Sequence, residues 1–321
     1  MKLLFHSQLA QNPHRILDVL VLAFCLACPL TAQQSNVNSK LFAAISQNDL
    51  ISIERLLRDG ANIEARGTNG MTPLMQASEQ GTIPVISLFL ERDANPNAKD
   101  EQGETALSWA ARGGWVRVVN LLAPLSDSEA MNHALFEAIR GGPVGVIYVD
   151  AVPPDHPQPA PTDVIESWEA TVESLLDHGA SIEAISEEGA TPLLEAAAYA
   201  KTDIFKLLVR KGARLDVRDK FGNAPLSAAA CQCALATMNT ADDIIEYLLA
   251  AGADVNSRNY DGQTALMMAS GMTGDASVLE LLLRYHADRA AKDHKGMTAL
   301  AIAQQSQRDD KIAILKRAAL R

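Results

Sequence analysis

An all-α repeat solenoid is the fold class this sequence predicts, built of about eight helix–turn–helix units joined by hairpin loops. Three markers recurring in phase predict it. Thr72-Pro73-Leu74 returns as Thr105-Ala106-Leu107, Thr191-Pro192-Leu193, Ala224-Pro225-Leu226, Thr264-Ala265-Leu266 and Thr298-Ala299-Leu300. Leu57-Arg58-Asp59-Gly60-Ala61-Asn62 has counterparts ending at Asn95, Ser181, Arg214, Asp254 and Asp288. A glycine stands two residues ahead of each Thr-type position: Gly70, Gly103, Gly189, Gly222, Gly262 and Gly296. The steps from 72 to 105 and from 191 to 224 are both 33 residues. A repeat of this size is one supersecondary unit that buries its apolar face only against its neighbours.

The chain opens on a leader. Lys2 and Arg15 precede the apolar run Val19–Leu26, Pro29 breaks it, and Leu30-Thr31-Ala32 offers a small residue before Gln33-Gln34-Ser35. That order reads as a secretory signal over residues 1–32, with cleavage after Ala32 and a short linker over 33–37. The apolar run is short for a membrane span, so no span is expected once the signal is removed. Two alternatives stay open: a lipoprotein, since Leu26-Ala27-Cys28 resembles the end of a lipobox in which Cys25 replaces Leu, and a retained anchor.

The repeats fill residues 38–321, in units near 38–70, 71–103, 104–128, 129–189, 190–222, 223–262, 263–296 and 297–321. Where the motif carries them, Thr can cap the first helix and Pro fits its first position, where no amide hydrogen is needed. The Leu and Ala that follow point inward, and Ala lets neighbouring helices approach closely. The second helix carries Val118-Val119-Asn120-Leu121-Leu122 or Ile244–Leu249, with Leu121 expected to face the core. Gly ends that helix in the left-handed conformation, and Asp219-Lys220-Phe221-Gly222 and its counterparts close a turn. The first unit lacks the Thr-Pro-Leu turn and reads as an N-terminal cap; the last stops after one helix pair.

These motifs resemble the ankyrin repeat. The resemblance implies helix pairs with projecting hairpins, and protein binding as the general function; it names no partner. Two departures stand out. The family's usual His after Thr-Pro-Leu is replaced by Met75, Ser108, Leu194, Ser227, Met267 and Ala301, which removes a side-chain hydrogen-bond network. Asp93 and His286 replace the helix-ending Gly, at a cost in strain unless the turn changes.

Three units are longer than the period, each between its first and second helix. The largest insert, residues 141–163 in the fourth unit, carries six prolines and the apolar run Val144–Val152, and cannot be helical throughout. The others lie around residues 234–241 and near Thr273-Gly274. Inserts grouped on one edge mark a binding face, or simply a turn that tolerates insertion.

Charge narrows the partner. The formal net charge is −11, which argues against nucleic acid, whose phosphates need a basic stripe. Between Gly141 and Ala200 there is no Lys or Arg, and eleven acids, among them Glu183, Glu187 and Glu188. That stretch is either a solvated surface or a docking field for a protein with a basic surface. Aromatics make up 5% of the chain, which sharpens interest in four. Trp109 and Tyr199 are placed on first helices facing the groove, and Phe221 and Tyr260 on hairpin tips. These four and the three glutamates are the candidate partner contacts.

No catalytic or cofactor residues are expected. The histidines are scattered over separate units, with no HExxH and no nucleophile elbow. Cys231 and Cys233 lie two apart on a helix, on nearly opposite faces, so they read as small fillers rather than a disulfide or a metal site. The function expected is protein–protein binding outside the cytoplasm, in a periplasm or after secretion. The alternatives are an exported effector or toxin-associated protein acting on another cell, and an enzyme whose site lies in the insert.

Overall fold

The computed structural model describes residues 34, 36–141, 167–231, 240–272 and 276–318. Residues 1–33, most of the large insert, Cys233 and the run Val144–Val152 lie outside them. The chain divides into two compact units, Met1–Glu104 and Thr105–Arg321. Among the described residues there are sixteen helices in eight pairs, as the repeat count predicts.

The first unit holds two pairs: α1 (36–46) with α2 (Leu50–Arg58), and α3 (Pro73–Glu79) with α4 (Ile83–Leu90). The second holds six: α5 (Ala106–Arg112) with α6 (Val116–Leu122), α7 (Ser128–Arg140) with α8 (Trp168–Asp177), α9 (Pro192–Ala198) with α10 (Thr202–Arg210), α11 (Pro225–Cys231) with α12 (Thr240–Ala250), α13 (Ala265–Gly271) with α14 (Ser277–Arg284), and α15 (Ala299–Gln305) with α16 (Asp309–Ala318). In this second unit the first helices pack on one another in order, α5 to α15, and the second helices do the same from α6 to α16. The result is a two-layer helical stack.

The caps form as the motif dictates. Thr72 accepts from the Met75 amide at 3.2 Å, and Thr105, Thr191, Thr264 and Thr298 each cap their helix in the same way. The Ala five residues after each Thr-type position (Ala77, Ala110, Ala196, Ala229, Ala269 and Ala303) is fully buried. Any larger side chain there would push adjacent first helices apart. The missing family His is partly replaced: Ser108 Oγ accepts from the Thr105 amide at 2.8 Å and donates to the Thr105 carbonyl at 2.9 Å, closing a capping box.

The helix phase of α6 departs from expectation. Val118, Val119 and Leu122 are buried, while Leu121 is only half-buried. Leu122 follows Val118 by four residues and Val119 by three, which puts all three on one stripe. Leu121 lies about 100° further round.

The helix-ending turns keep their geometry where glycine is absent. Asp93 (φ 59°) and His286 (φ 65°) take the left-handed conformation of Gly60 and Gly252. Ala200 (φ 52°) does the same between α9 and α10. That conformation costs a non-glycine residue about 1–2 kcal/mol, against about 0.5–1 kcal/mol of extra chain entropy for glycine. We therefore expect His286→Gly and Ala200→Gly each to raise the stability measured by urea unfolding by up to about 1 kcal/mol, and Gly252→Ala to lower it.

Hairpins rather than strands link the pairs; among the described residues the only sheet-like pairing is an isolated bridge between Arg258 and Thr264. The three inserts leave the chain between α7 and α8, α11 and α12, and α13 and α14, so each extends the turn inside a pair. No helix among the described residues is long and apolar enough to cross a membrane.

Candidate functional site

Four of the hairpins are each built on one Asp or Asn. Asp219 Oδ1 accepts from the Phe221 amide at 2.9 Å and the Asn223 amide at 2.8 Å. Asp100, Asn259 and Asp293 repeat the pattern. The glycine of the turn then takes positive φ, 79° at Gly222. It also leaves room for the next tip: a Cβ on Gly222 would lie 2.7 Å from the Tyr260 ring. The tips join through the backbone, since the Tyr260 amide donates to the Phe221 carbonyl and the His294 amide to the Asp261 carbonyl, both at 3.0 Å.

A cation four residues before the tip glycine staples one hairpin to the next. Arg218 Nη1 donates to the Gly222 carbonyl of its own tip at 2.6 Å and to the Arg258 carbonyl of the next hairpin at 2.9 Å. Arg258 does the same to Gly262 and Lys292, and in the first unit Arg66 does it to Gly70 and Lys99. These staples were not foreseen from the sequence. The signal that could have found them is the recurrent cation at 66, 99, 218, 258 and 292.

On this rigid edge Phe221 and Tyr260 stand 55% and 68% exposed, as expected of tip residues. The Lys220 ammonium sits 5.3 Å from the Phe221 ring centroid. The pair on the first-helix layer is held differently. Trp109 on α5 is half-buried under the Arg112 guanidinium, 4.6 Å from its ring centroid. Tyr199 is half-buried at the C-cap of α9, one residue past the helix.

Between Trp109 and Tyr199 runs a chain of charges. Glu137 on α7 accepts from Arg112 at 2.7 Å and lies 3.5 Å from Arg140; Arg140 reaches Glu195 on α9 at 2.7 Å. Both carboxylates are buried. Burial works against the Arg140 charge, yet the Glu195 hydrogen bond and the neighbouring carboxylates outweigh it and raise its pKa. Alternating signs cancel, so the chain ties three helices together without a net field.

Part of the acidic stretch is likewise matched from within. The Arg210 guanidinium meets Glu169 at 3.2 Å, and the Lys211 ammonium meets Glu173 at 3.0 Å and Asp177 at 2.9 Å, which raises the lysine's pKa. Of the candidate acids, Glu183 accepts from the Arg214 amide at 2.8 Å, and Glu188 pairs with Lys220. Glu187 is exposed, with no cation at salt-bridge distance among the described residues. Of the eleven acids, Glu169, Glu173, Asp177 and Glu188 are thus met by cations that follow Ala200 and Glu195 by Arg140, while Asp150, Asp155, Asp163 and Glu166 lie outside the described residues.

Two further residues fix the base of the large insert. Trp168 Nε1 donates to the Arg112 carbonyl at 2.9 Å, and Lys201 Nζ to the Gly141 carbonyl at 2.7 Å. Burial lowers the Lys201 pKa. Lys311, buried on α16, caps the end of α13 in a similar way through the Ala269 and Met272 carbonyls. Cys231 is half-buried, and burial, with Asp219 nearby, raises its thiol pKa.

Comparison with known proteins agrees with this architecture. The family model for ankyrin repeats matches three times, over residues 41–135, 166–239 and 232–319. An ankyrin repeat-containing protein of Schizosaccharomyces pombe is 34% identical over 90 residues, which cover 28% of this chain and 39% of that protein. An E3 ubiquitin-protein ligase of Arabidopsis thaliana, KEG, is 31% identical over 99 residues, 30% of this chain and 6% of the ligase. The chain therefore matches well under half the length of either relative. Ankyrin repeats are in general protein–protein interaction modules rather than catalysts. With the repeat markers, the paired helices and the family match in agreement over most of its length, this chain belongs to the ankyrin-repeat family.

Proposed function

We infer that the chain is a non-catalytic scaffold that binds another protein reversibly, outside the cytoplasm, through the hairpin edge of its fifth and sixth repeats. The observation that carries the binding surface is the pair Phe221 and Tyr260. Both are large, exposed and apolar, yet they stand on tips locked by backbone hydrogen bonds and an arginine staple. Exposed aromatics on a preorganised surface give up little conformational entropy on docking, and aromatics are enriched where interfaces concentrate their energy. The Trp109 and Tyr199 layer is a secondary contact surface, since much of its polar capacity is spent on its own charge chain.

Extracytoplasmic location rests on the basic, apolar and small-residue order of residues 1–32. Protein made in a bacterial host is expected to begin at or near Gln33 on N-terminal sequencing. Full-length chain recovered from the cytosol would reject export, and a lipid-modified Cys28 would replace it with the lipoprotein form. For the binding surface, Phe221→Ala or Tyr260→Ala should speed dissociation from the partner about tenfold or more, with association little changed. Unaltered dissociation in both variants would move the partner elsewhere.

A further inference from the structure

The fourth hairpin breaks the staple rule. Its residue four before the tip glycine, Gly189, is Ile185, where the other hairpins that close on a tip glycine carry Arg66, Lys99, Arg218, Arg258 and Lys292. An isoleucine cannot donate to the Gly189 and Arg218 carbonyls, so the link from the fourth hairpin to the fifth forgoes a charged hydrogen-bond donor. Nor does the side chain recover the loss by burial, since Ile185 is 65% exposed. A residue that breaks a local rule with no structural return is where function is expected to show.

Its surroundings indicate what it meets. Ile185, Phe221 and Tyr260 place one exposed apolar side chain on each of three consecutive hairpins. Beside them stand two exposed carboxylates, Glu187 and Asp261, neither with a cation at salt-bridge distance among the described residues. Glu188, by contrast, is already taken by Lys220. The edge is therefore apolar with unmatched negative charge.

We propose that Ile185 is a specificity-determining contact for an extended segment of a partner protein, one that alternates apolar and basic side chains. The inference rests on the hairpin-edge reading above and extends it by one repeat. The apolar groups of the segment cover Ile185, Phe221 and Tyr260, and its cations meet Glu187 and Asp261. Replacing the stapling cation with isoleucine exchanges stability of the link for this contact, and removes a positive charge that would repel the segment.

The test uses the full chain and a fluorescein-labelled twelve-residue peptide of alternating Val and Lys, read by anisotropy alongside thermal melting. Saturable binding that weakens with salt is expected. Ile185→Arg restores the staple, and should raise Tm by about 2–4 °C while weakening the peptide about tenfold. Ile185→Ser should weaken it severalfold with Tm unchanged, and Glu187→Gln should weaken it and flatten the salt dependence. If Phe221→Ala weakens the peptide but neither Ile185 variant does, Ile185 is a structural gap: this inference falls and the hairpin-edge reading stands. If the peptide does not saturate, or no hairpin variant changes its affinity, both fall.

Discussion

Leu122→Ala is expected to lower the free energy of unfolding by about 3–5 kcal/mol. Leu122 ends α6 with no exposed surface, on the stripe it shares with Val118 and Val119. Truncation removes three buried carbons and leaves a cavity between layers that close only partly, because helices on both sides are pinned by neighbouring pairs. Leu121→Ala, one position away and half-buried, should cost about 1 kcal/mol or less. Urea denaturation of both variants tests the phase of α6 directly. Equal losses would contradict it. The loss should not be confined to one repeat either, because a repeat array takes much of its stability from the interfaces between neighbours.

Glu137→Gln is the second large effect, at about 2–3 kcal/mol of destabilisation. The carboxylate is 8% exposed and holds Arg112 from α5 and Arg140 from its own helix. Glutamine keeps the shape and removes the charge, so the Arg112 guanidinium loses the Glu137 carboxylate and Arg140 is left to Glu195, while both stay packed against Trp109 and Phe136. Their partial exposure, 38% and 31%, lets water recover some of the loss, which is why the figure sits below that for a fully buried pair. Glu169→Gln breaks an exposed pair with Arg210 on the second-helix layer and should cost about 0.5 kcal/mol or less. Urea unfolding at moderate and high salt separates the two: the Glu169 effect should vanish with salt and the Glu137 effect persist.

The fold was legible because its markers act locally. A Thr cap, a Pro at the first helical turn and a tip glycine each impose their geometry within a few residues, and their recurrence sets the stack. What escaped was side-chain pairing between repeats. Part of the acidic run was read without its cations because the window closed at Ala200; Arg210, Lys211 and Lys220, which meet Glu169, Glu173, Asp177 and Glu188, follow at about one repeat's distance. Leu121 and Leu122 could not be told apart from composition, since both are apolar and only the spacing to Val118 and Val119 chooses between them. Phe221 and Tyr260 were placed correctly on tips because the Asp/Asn-x-x-Gly turn fixes where they project. Ile185 went unremarked because it is conspicuous only against the cations at the equivalent position of other repeats. Ala200 gave no warning of its left-handed conformation, which glycine would have signalled.

The central claim is that the hairpin edge of the middle repeats receives the partner. Site-specific photo-crosslinking tests it most directly, with a photoreactive phenylalanine placed in turn at Phe221, Tyr260 and Glu246 in the full chain expressed in its own cells. Glu246 is exposed on α12, in the second-helix layer rather than on a hairpin. The account predicts one and the same adduct from both hairpin positions and none from Glu246. An adduct of equal yield from all three positions, or from Glu246 alone, would contradict it.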